Sequence, residues 1–243
     1  MPAARLIDEG YDYLVAIADD WVFRFPRRPV VEEALRYEIG LLPVLAETLP
    51  VEVPRFELVS DDPPFVAYRL IEGTPLRDED PNGVRAFLTA LHGVDHRALE
   101  VERPDWIAWF TDLCGRFERD VLPLLDRDLQ PKARELFAEV PTLTGFDPAL
   151  IHADLGPAHL LARDGRLAGV IDWGDARIGD PALDYAWLLN VPFRDWDVDD
   201  ELRRRARFYH RLGPWHEVHH GLRFGIDDYV RDGLAGIVRR LHS

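Results

Sequence analysis

Residues 151–161 read IHADLGPAHLL, and residues 170–175 read VIDWGD. The first run is apolar except for His152, Asp154 and His159, three titratable groups within eight residues. A buried strand or helix would be apolar throughout, so this run reads as a polar loop on a rigid scaffold, or as a site. Asp164-Gly165 lies between the two runs, flanked by short apolar segments, which is a hairpin signal. A tight turn there puts His159 roughly opposite Val170 and close to Asp172, with Asp154 in the loop that enters the first strand. A loop carboxylate, a strand-end imidazole and a second carboxylate should therefore meet at one end of the hairpin. Unpaired buried carboxylates are costly, so such a cluster binds something or forms a tight hydrogen-bond network.

Working outward, the first seventy residues are strand-rich. Leu14–Ile17 and Trp21–Phe25 flank Asp19-Asp20 and read as a hairpin, with Val22 and Arg24 on one face and Trp21, Phe23 and Phe25 on the other. Val30 to about Glu47 has helical spacing of Leu35, Ile39, Leu42 and Leu45. Strands are expected near 56–59 and 65–71, around the turn 60–64. Glu72-Gly73-Thr74-Pro75 breaks the pattern, and a lobe boundary is placed there, giving lobes 1–72 and 73–243. The remainder is mainly helical, with helices expected over 81–93, 105–126, 131–140, 181–190, 199–212 and 222–240. The fold class is α+β, a small antiparallel sheet lobe followed by a larger helical one.

The chain has 243 residues, 47% of them hydrophobic, which suits a globular protein of one or two domains. A net charge of −15 argues against nucleic acid as a partner. It favours a cationic ligand only weakly, because acidic charge commonly serves solubility. Cys114 is the one cysteine and has no internal disulfide partner. No apolar run approaches the roughly 20 residues that span a bilayer, and MPAARLIDEG lacks the apolar core of a signal peptide. No membrane partner and a cytoplasmic location are expected.

His152-x-Asp154 with His159 five residues after the Asp, followed by Asp172-Trp173-Gly174-Asp175, resembles the catalytic loop and metal motif of protein-kinase-like phosphotransferases. The wider context, with DDWVFRFPRRP (19–29), EIGLLPVL (38–45) and GDPALDYA (179–186), is similar to aminoglycoside and macrolide phosphotransferases, especially the 2″-aminoglycoside and macrolide branches. The resemblance covers nearly the whole chain and implies a two-lobed protein-kinase-like fold. It implies transfer of the γ-phosphate of ATP or GTP to a hydroxyl of a small, cationic acceptor, foremost an aminoglycoside. A macrolide, or a metabolite phosphorylated on the same fold, is the alternative. A non-catalytic nucleotide-binding module is a remote one, since both motif aspartates are present. Antibiotic resistance is the biological role the family implies.

Residue by residue, the resemblance makes Asp154 the catalytic base or substrate-orienting group and Asp172 a ligand of Mg²⁺, with Mn²⁺ as an alternative. His159 stands where the wider kinase pattern has Asn, so it either ligates the ion or hydrogen-bonds a phosphate. His152 is read as structural. Arg24 stands where a nucleotide-phosphate Lys is usual, with Glu38 as its partner: Glu38 lies three, four and seven residues before Leu41, Leu42 and Leu45, on the packed side of its helix. The phosphate-covering loop offers only Gly10. Tyr68, Leu70 and Ile71, in YRLIEG (68–73), resemble the hinge that holds the nucleotide base, and the bulk of Tyr68 leaves GTP open beside ATP. Asp180 resembles a brace for the catalytic loop and a helix cap.

For the acceptor, Asp175 and the run FRDWDVDDELRRR (193–205) supply Asp195, Trp196, Asp197 and Asp199. Acids at a helix start also complement its dipole, so that second reading of the run stays open. HEVHH (216–220) matches the H-E-x-x-H zinc pattern, but Pro214 before it and Gly221 after it argue against the helix that the pattern requires.

Overall fold

The computed structural model describes residues 5–8, 12–77, 80–190 and 198–242. The chain divides into two compact units: residues 1–102 with 149–178, and residues 103–148 with 179–243.

The first unit is built on a five-stranded antiparallel sheet of order β1-β2-β3-β5-β4. Its strands are β1 (Arg5–Ile7), β2 (Tyr13–Ala18), β3 (Trp21–Pro26), β4 (Phe56–Asp61) and β5 (Pro64–Arg69). Asp19 closes the β2–β3 hairpin at a φ of 53°, a left-handed conformation that Asp tolerates. The period of two then sends Val22 and Arg24 to the buried face, each 4% exposed, as expected. Helix α1 (Pro29–Thr48) starts with Pro at its first turn and packs through Val31, Leu35, Leu41, Leu42 and Leu45. Glu38 sits within that buried stripe.

Helix α2 (Pro81–His92) is capped by Asp80. One oxygen of Asp80 accepts from Gly83 N at 2.9 Å, and the other accepts from Leu167 N at 3.0 Å. A Cβ at position 83 would lie 2.0 Å from that carboxylate, so only glycine fits there. The short strand β6 (Thr74–Pro75) pairs with β8 (Leu160–Arg163), which pairs with β9 (Arg166–Val170). A two-stranded sheet joins β7 (Ala149–Ile151) to β10 (Arg177–Gly179).

The β8–β9 turn is at Asp164-Gly165 as expected, with φ of 53° and 71°. The register differs by one residue from the expected pairing. Leu160 faces Val170, with an irregularity between Leu161 and Ala162, and His159 O accepts from Ile171 N at 3.0 Å. His159 is thus opposite Ile171, not Val170. Ala168 is the extra residue, and its carbonyl accepts instead from Glu52 N at 2.8 Å, while Val170 N donates to Glu52 O. The bulge turns one backbone carbonyl out of the hairpin to tie down residue 52.

The second unit is helical: α3 (Trp106–Asp120), α4 (Gln130–Phe137), α5 (Ala182–Ala186), α6 (Asp200–Phe224) and α7 (Asp227–Leu241). Trp106, Phe110, Phe208 and Tyr209 form its aromatic centre. The helix expected over 105–126 ends at Asp120, and Leu122–Leu124 form a 3₁₀ turn containing Pro123. The one expected over 181–190 tightens to a 3₁₀ turn after Ala186.

The expected break between 212 and 222 is absent: α6 runs unbroken through Gly213-Pro214 and ends at Gly225, whose φ is 69°. Proline 214 has no N–H for the carbonyl of His210, four residues back. Arg240 of α7 donates to that carbonyl instead. Gly213 lets it in, because a Cβ there would lie 2.9 Å from Arg240 Nη1. Gly233 and Gly236 bring the α7 backbone against Pro214 and Val218, where any Cβ would collide. Among the described residues no helix is long and apolar enough to cross a membrane.

Candidate active site

The hairpin end and its entry loop lie within the first unit, and their backbone is unusual. Ala153 and Asp172 have φ of 68° and 67°, which non-glycine residues seldom adopt. Each sits beside a candidate functional group, as strained positions often do. His152 is fully buried and holds the two loops together. Its Nε2 is 3.0 Å from Ile171 O, which can only accept, so Nε2 carries the hydrogen. Its Nδ1 is then free to accept from Asp154 N at 3.3 Å. Its ring packs at 4.7 Å from that of Trp173, which in turn meets Phe87 edge-on. This is the structural part expected for His152.

His159 has the opposite tautomer. Its Nδ1 lies 2.6 Å from Asp154 O, so Nδ1 is the donor. In the neutral ring Nε2 keeps its lone pair, 3.6 Å from Asp172 Oδ2. One donor atom from each of Asp154, His159 and Asp172 lies within 4.8 Å of the others, the single such group of three among the described residues. Two carboxylates and an imidazole lone pair are a donor set that suits a divalent cation.

Loss of hydration in this crowded loop pushes the Asp154 pKa up to about 6. His159 opposes the rise, and Asp175, Asp172 and Asp12 add to it. A pKa of about 6 leaves the carboxylate mostly ionised at neutral pH, and the side chain is 59% exposed.

Arg24 extends the cluster into the sheet. Its Nη1 donates to Glu38 Oε1 at 2.7 Å, and Nη2 lies 3.5 Å from Asp172 Oδ1. Burial works against the guanidinium's charge, but Glu38 and Asp172 outweigh it and the pKa is raised. Burial raises the Glu38 carboxyl and Arg24 opposes that rise; at 2.7 Å from a permanently charged guanidinium we read the pair as ionic. Trp173 N donates to the same Glu38 oxygen at 3.3 Å. Glu38 Oε2 is buried with no hydrogen-bond partner among the described residues. The ring of Tyr13 lies 4.0 Å from Arg24 Cζ, and its hydroxyl too is buried without a partner among the described residues.

The expected hinge residues divide. Tyr68 pairs with Val22 across β3–β5 and shares the buried face of Arg24; burial pushes its pKa up to about 12. Leu70 N donates to Asp20 O at 2.8 Å and the side chain is exposed, whereas Ile71 is buried. Both line a cavity of about 640 Å³ with Leu49, Val53, Leu167 and Ala168, and none of Arg24, Asp154, His159 or Asp172 lines it.

Among the acceptor candidates, Asp175 already pairs with Arg177 at 2.9 Å, and its pKa is raised by burial, with Arg177 opposing. Asp199, in the second unit, caps α6 by accepting from Leu202 N at 2.7 Å. Asp195, Trp196 and Asp197 lie outside the described residues.

Asp180 is fully buried in the second unit. It accepts from Ala182 N at 3.0 Å, as a cap would, and also from Arg205 Nε at 2.7 Å and Tyr209 Oη at 2.9 Å. Tyr209 Oη in turn accepts from Trp106 at 2.7 Å. HEVHH is fully helical, contrary to the expectation from Pro214 and Gly221, because Arg240 and the glycine face of α7 compensate. Its histidines nevertheless pack on aromatic rings, His216 on Phe117 and His220 on Phe224 and Tyr229. No group of three metal-capable side chains forms there among the described residues.

Sequence reasoning missed Tyr13, Trp173, Arg177 and the Arg205–Tyr209 pair. Tyr13 was the one within reach: Val15 pairs with Arg24, and the period of two puts Tyr13 on the same face.

A loop carboxylate, a second carboxylate beyond a hairpin and a buried Arg–Glu pair on an antiparallel sheet and its helix are the parts of a kinase-like phosphotransferase. Residues 4–223 match the model of the phosphotransferase enzyme family abbreviated APH, and the chain belongs to that family. The GDP and kanamycin complex of APH(2")-IIia is similar to this chain with a TM-score of 0.85 at 26% identity, covering 98% of this chain and 92% of that one. The apoenzyme of macrolide 2'-phosphotransferase MphH from Brachybacterium faecium is similar with a TM-score of 0.73 at 25% identity, covering 96% and 91%. The uncharacterized protein YcbJ of Bacillus subtilis (strain 168) is 29% identical over 86% of this chain and 76% of its own length. The protein is a phosphotransferase of kinase-like fold whose structural neighbours act on aminoglycosides and macrolides.

Proposed function

We propose that the protein transfers the γ-phosphate of ATP or GTP to a hydroxyl of an aminoglycoside-type acceptor, and thereby inactivates an antibiotic. The observation that carries this is the convergence of Asp154, His159 and Asp172 at one end of the hairpin, with Arg24 reaching Asp172 from the sheet.

Asp154 accepts a hydrogen bond from the acceptor hydroxyl, aligns it with the phosphorus and receives its proton. Its ionised, exposed carboxylate suits that part. Asp172 and His159 would hold a divalent cation, Mg²⁺ or Mn²⁺, which would supply neutralisation of charge on the nucleotide phosphates. Arg24 contributes a fixed positive charge toward the same phosphates, steadied by Glu38 and by the Tyr13 ring. The lobe up to residue 72 carries the nucleotide, with the backbone of Leu70 and Ile71 at the base; the bulk of Tyr68 keeps GTP open beside ATP. The remainder carries the acceptor, with Asp175, Asp195, Trp196, Asp197 and Asp199 as its candidate contacts.

A macrolide acceptor is the second reading, favoured by the likeness to the macrolide 2'-phosphotransferase.

The test is turnover of ATP and of GTP with Mg²⁺ against a panel of aminoglycosides and macrolides, with mass spectrometry for the added phosphate. Phosphorylation of one class, abolished in Asp154→Asn, supports the proposal and names the class. No phosphorylated drug, with nucleotide bound, refutes the antibiotic assignment.

A further inference from the structure

We propose that Gly169 and Gly73 are positioning residues: they seat the stretch 70–73 directly on the β8–β9 hairpin, and so fix the span between the base of a bound nucleotide and its phosphates. The inference rests on the phosphotransferase reading, in which Leu70 and Ile71 hold the base and the hairpin end faces the phosphates. It adds to that reading what sets the distance between the two points.

Three observations lead there. First, Gly169 is buried within β9, where a glycine weakens a strand and commonly marks the close approach of another segment. The approaching group is a side chain of the base-holding stretch. A Cβ at position 169 would lie 2.5 Å from Ile71 Cγ2 but 3.4 Å from Glu52 O, an ordinary contact. Ile71 is therefore what demands the glycine. Its Cγ2 is a branch on Cβ, and a β-branched side chain is stiff at χ1, so it does not swing aside cheaply. Second, Gly73 seats the same stretch on the other strand. A Cβ there would lie 3.0 Å from both Leu161 Cβ and Ala162 O. Thr74 then pairs with Ala162 and Pro75 with Leu161, and Leu76 N donates to Leu160 O at 2.7 Å.

Third, both seats are close along the chain to the hairpin end. Leu160 follows His159 directly, and Gly169 precedes Asp172 by three residues, about 10 Å of strand. Strand β9 is pinned against sliding, because Ala168 O accepts from Glu52 N, Val170 N donates to Glu52 O, and Leu167 N donates to Asp80. The base-holding backbone and the end that carries His159 and Asp172 are thus parts of one piece. A methyl group at position 169 pushes Ile71 off β9 and changes the span, while each end keeps its own groups.

The experiment is calorimetric titration of the full chain with three kinds of probe: a nucleoside (adenosine, guanosine), tripolyphosphate with Mg²⁺, and whichever of ATP and GTP the wild type binds more tightly. Thermal melts check that each variant is folded. In Gly169→Ala the intact nucleotide should bind about ten- to a hundredfold more weakly, the cost of a misplacement of ~1 Å. The nucleoside and tripolyphosphate should each stay within about twofold of wild type. Adding Ile71→Leu, which removes Cγ2 at equal volume, should return nucleotide affinity to within about twofold of Ile71→Leu alone. Adding Ile71→Val, which keeps both branches, should not restore it. Gly73→Ala should show the same split between the nucleotide and its parts, and it carries the test where Gly169→Ala does not fold. Wild-type nucleotide affinity in the folded glycine variants, equal losses for nucleoside and nucleotide, or equal rescue by Leu and Val would each overturn the inference. Phosphoryl transfer is assayed separately. A wild type that binds nucleotide and transfers phosphate, with Gly169→Ala indifferent, sinks this inference alone. A wild type that neither binds nucleotide nor transfers phosphate sinks the phosphotransferase reading, and the glycines then serve packing only.

Discussion

Tyr13 and Glu38 each bury an oxygen with no hydrogen-bond partner among the described residues, and both flank the Arg24 guanidinium. The Tyr13 ring does its work without its hydroxyl, since it is the face of the ring that covers Arg24. Tyr13→Phe is therefore expected to leave the nucleotide KM unchanged and to melt no lower than wild type, because it removes an unpaired buried hydroxyl. Tyr13→Leu loses the cation–π contact, worth about 1–2 kcal/mol at a desolvated site. That corresponds to a rise of roughly 5- to 30-fold in nucleotide KM with kcat less affected. Equal KM values for Leu and Phe variants would show that Arg24 needs no such support.

Asp154→Asn tests the neighbouring position in the opposite sense. As an exposed loop residue it should not lower the melting temperature, while kcat drops about 10²–10⁴-fold if the carboxylate takes the proton. At this scale the sequence was informative about side chains that chemistry demands and silent about those that only brace them. Asp154, His159 and Asp172 were legible because polar groups interrupt apolar runs. Trp173 was read only as part of the Asp172–Asp175 motif, and no local pattern showed that its backbone N–H holds Glu38.

Among the elements, the β2–β3 hairpin and α1 followed from period and turn chemistry alone. The β8–β9 pairing was off by one because a bulge is set by a distant acceptor-donor pair, Ala168 and Glu52, that no local pattern encodes. The same holds for α6. Pro214 is a helix breaker by local rules, and its cost is offset by Arg240, twenty-six residues on in the chain. Arg240→Met should strip the His210 carbonyl of that donor and destabilise the protein by about 1–3 kcal/mol, measured by urea denaturation. An unchanged midpoint would mean that α6 tolerates the proline unaided.

His210 makes a pH test of the same corner. Burial first, then the charges of Arg240 and Arg211, depress its pKa from 6.5 to about 4. The folded protein thus keeps the ring neutral where the unfolded chain would protonate it. Stability from this group is present above pH 6.5 and is lost as pH falls from about 6.5 through about 4. His210→Gln should flatten the melting-temperature curve over that window; a slope identical to wild type would place the acid sensitivity elsewhere.

For the whole molecule, the sheet-bearing first unit and the helical second unit each have their own buried centre, and composition and helical periodicity were enough to foresee both kinds of element. What composition left open was the purpose of the net charge of −15. Two readings predict different salt responses. If the charge recruits a polycationic aminoglycoside, attraction acts over roughly a Debye length, about 10 Å at 0.1 M salt and 3 Å at 1 M. The acceptor KM should then climb several-fold between low and high salt, with kcat nearly constant, because steering alters encounter more than chemistry. A macrolide has one amine and a large apolar body, so its KM should stay level or fall as salt strengthens apolar burial. Nucleotide KM, measured in the same series, separates screening at the acceptor from screening at the phosphates. An aminoglycoside KM indifferent to salt would assign the charge to solubility alone and leave recognition to short-range contacts.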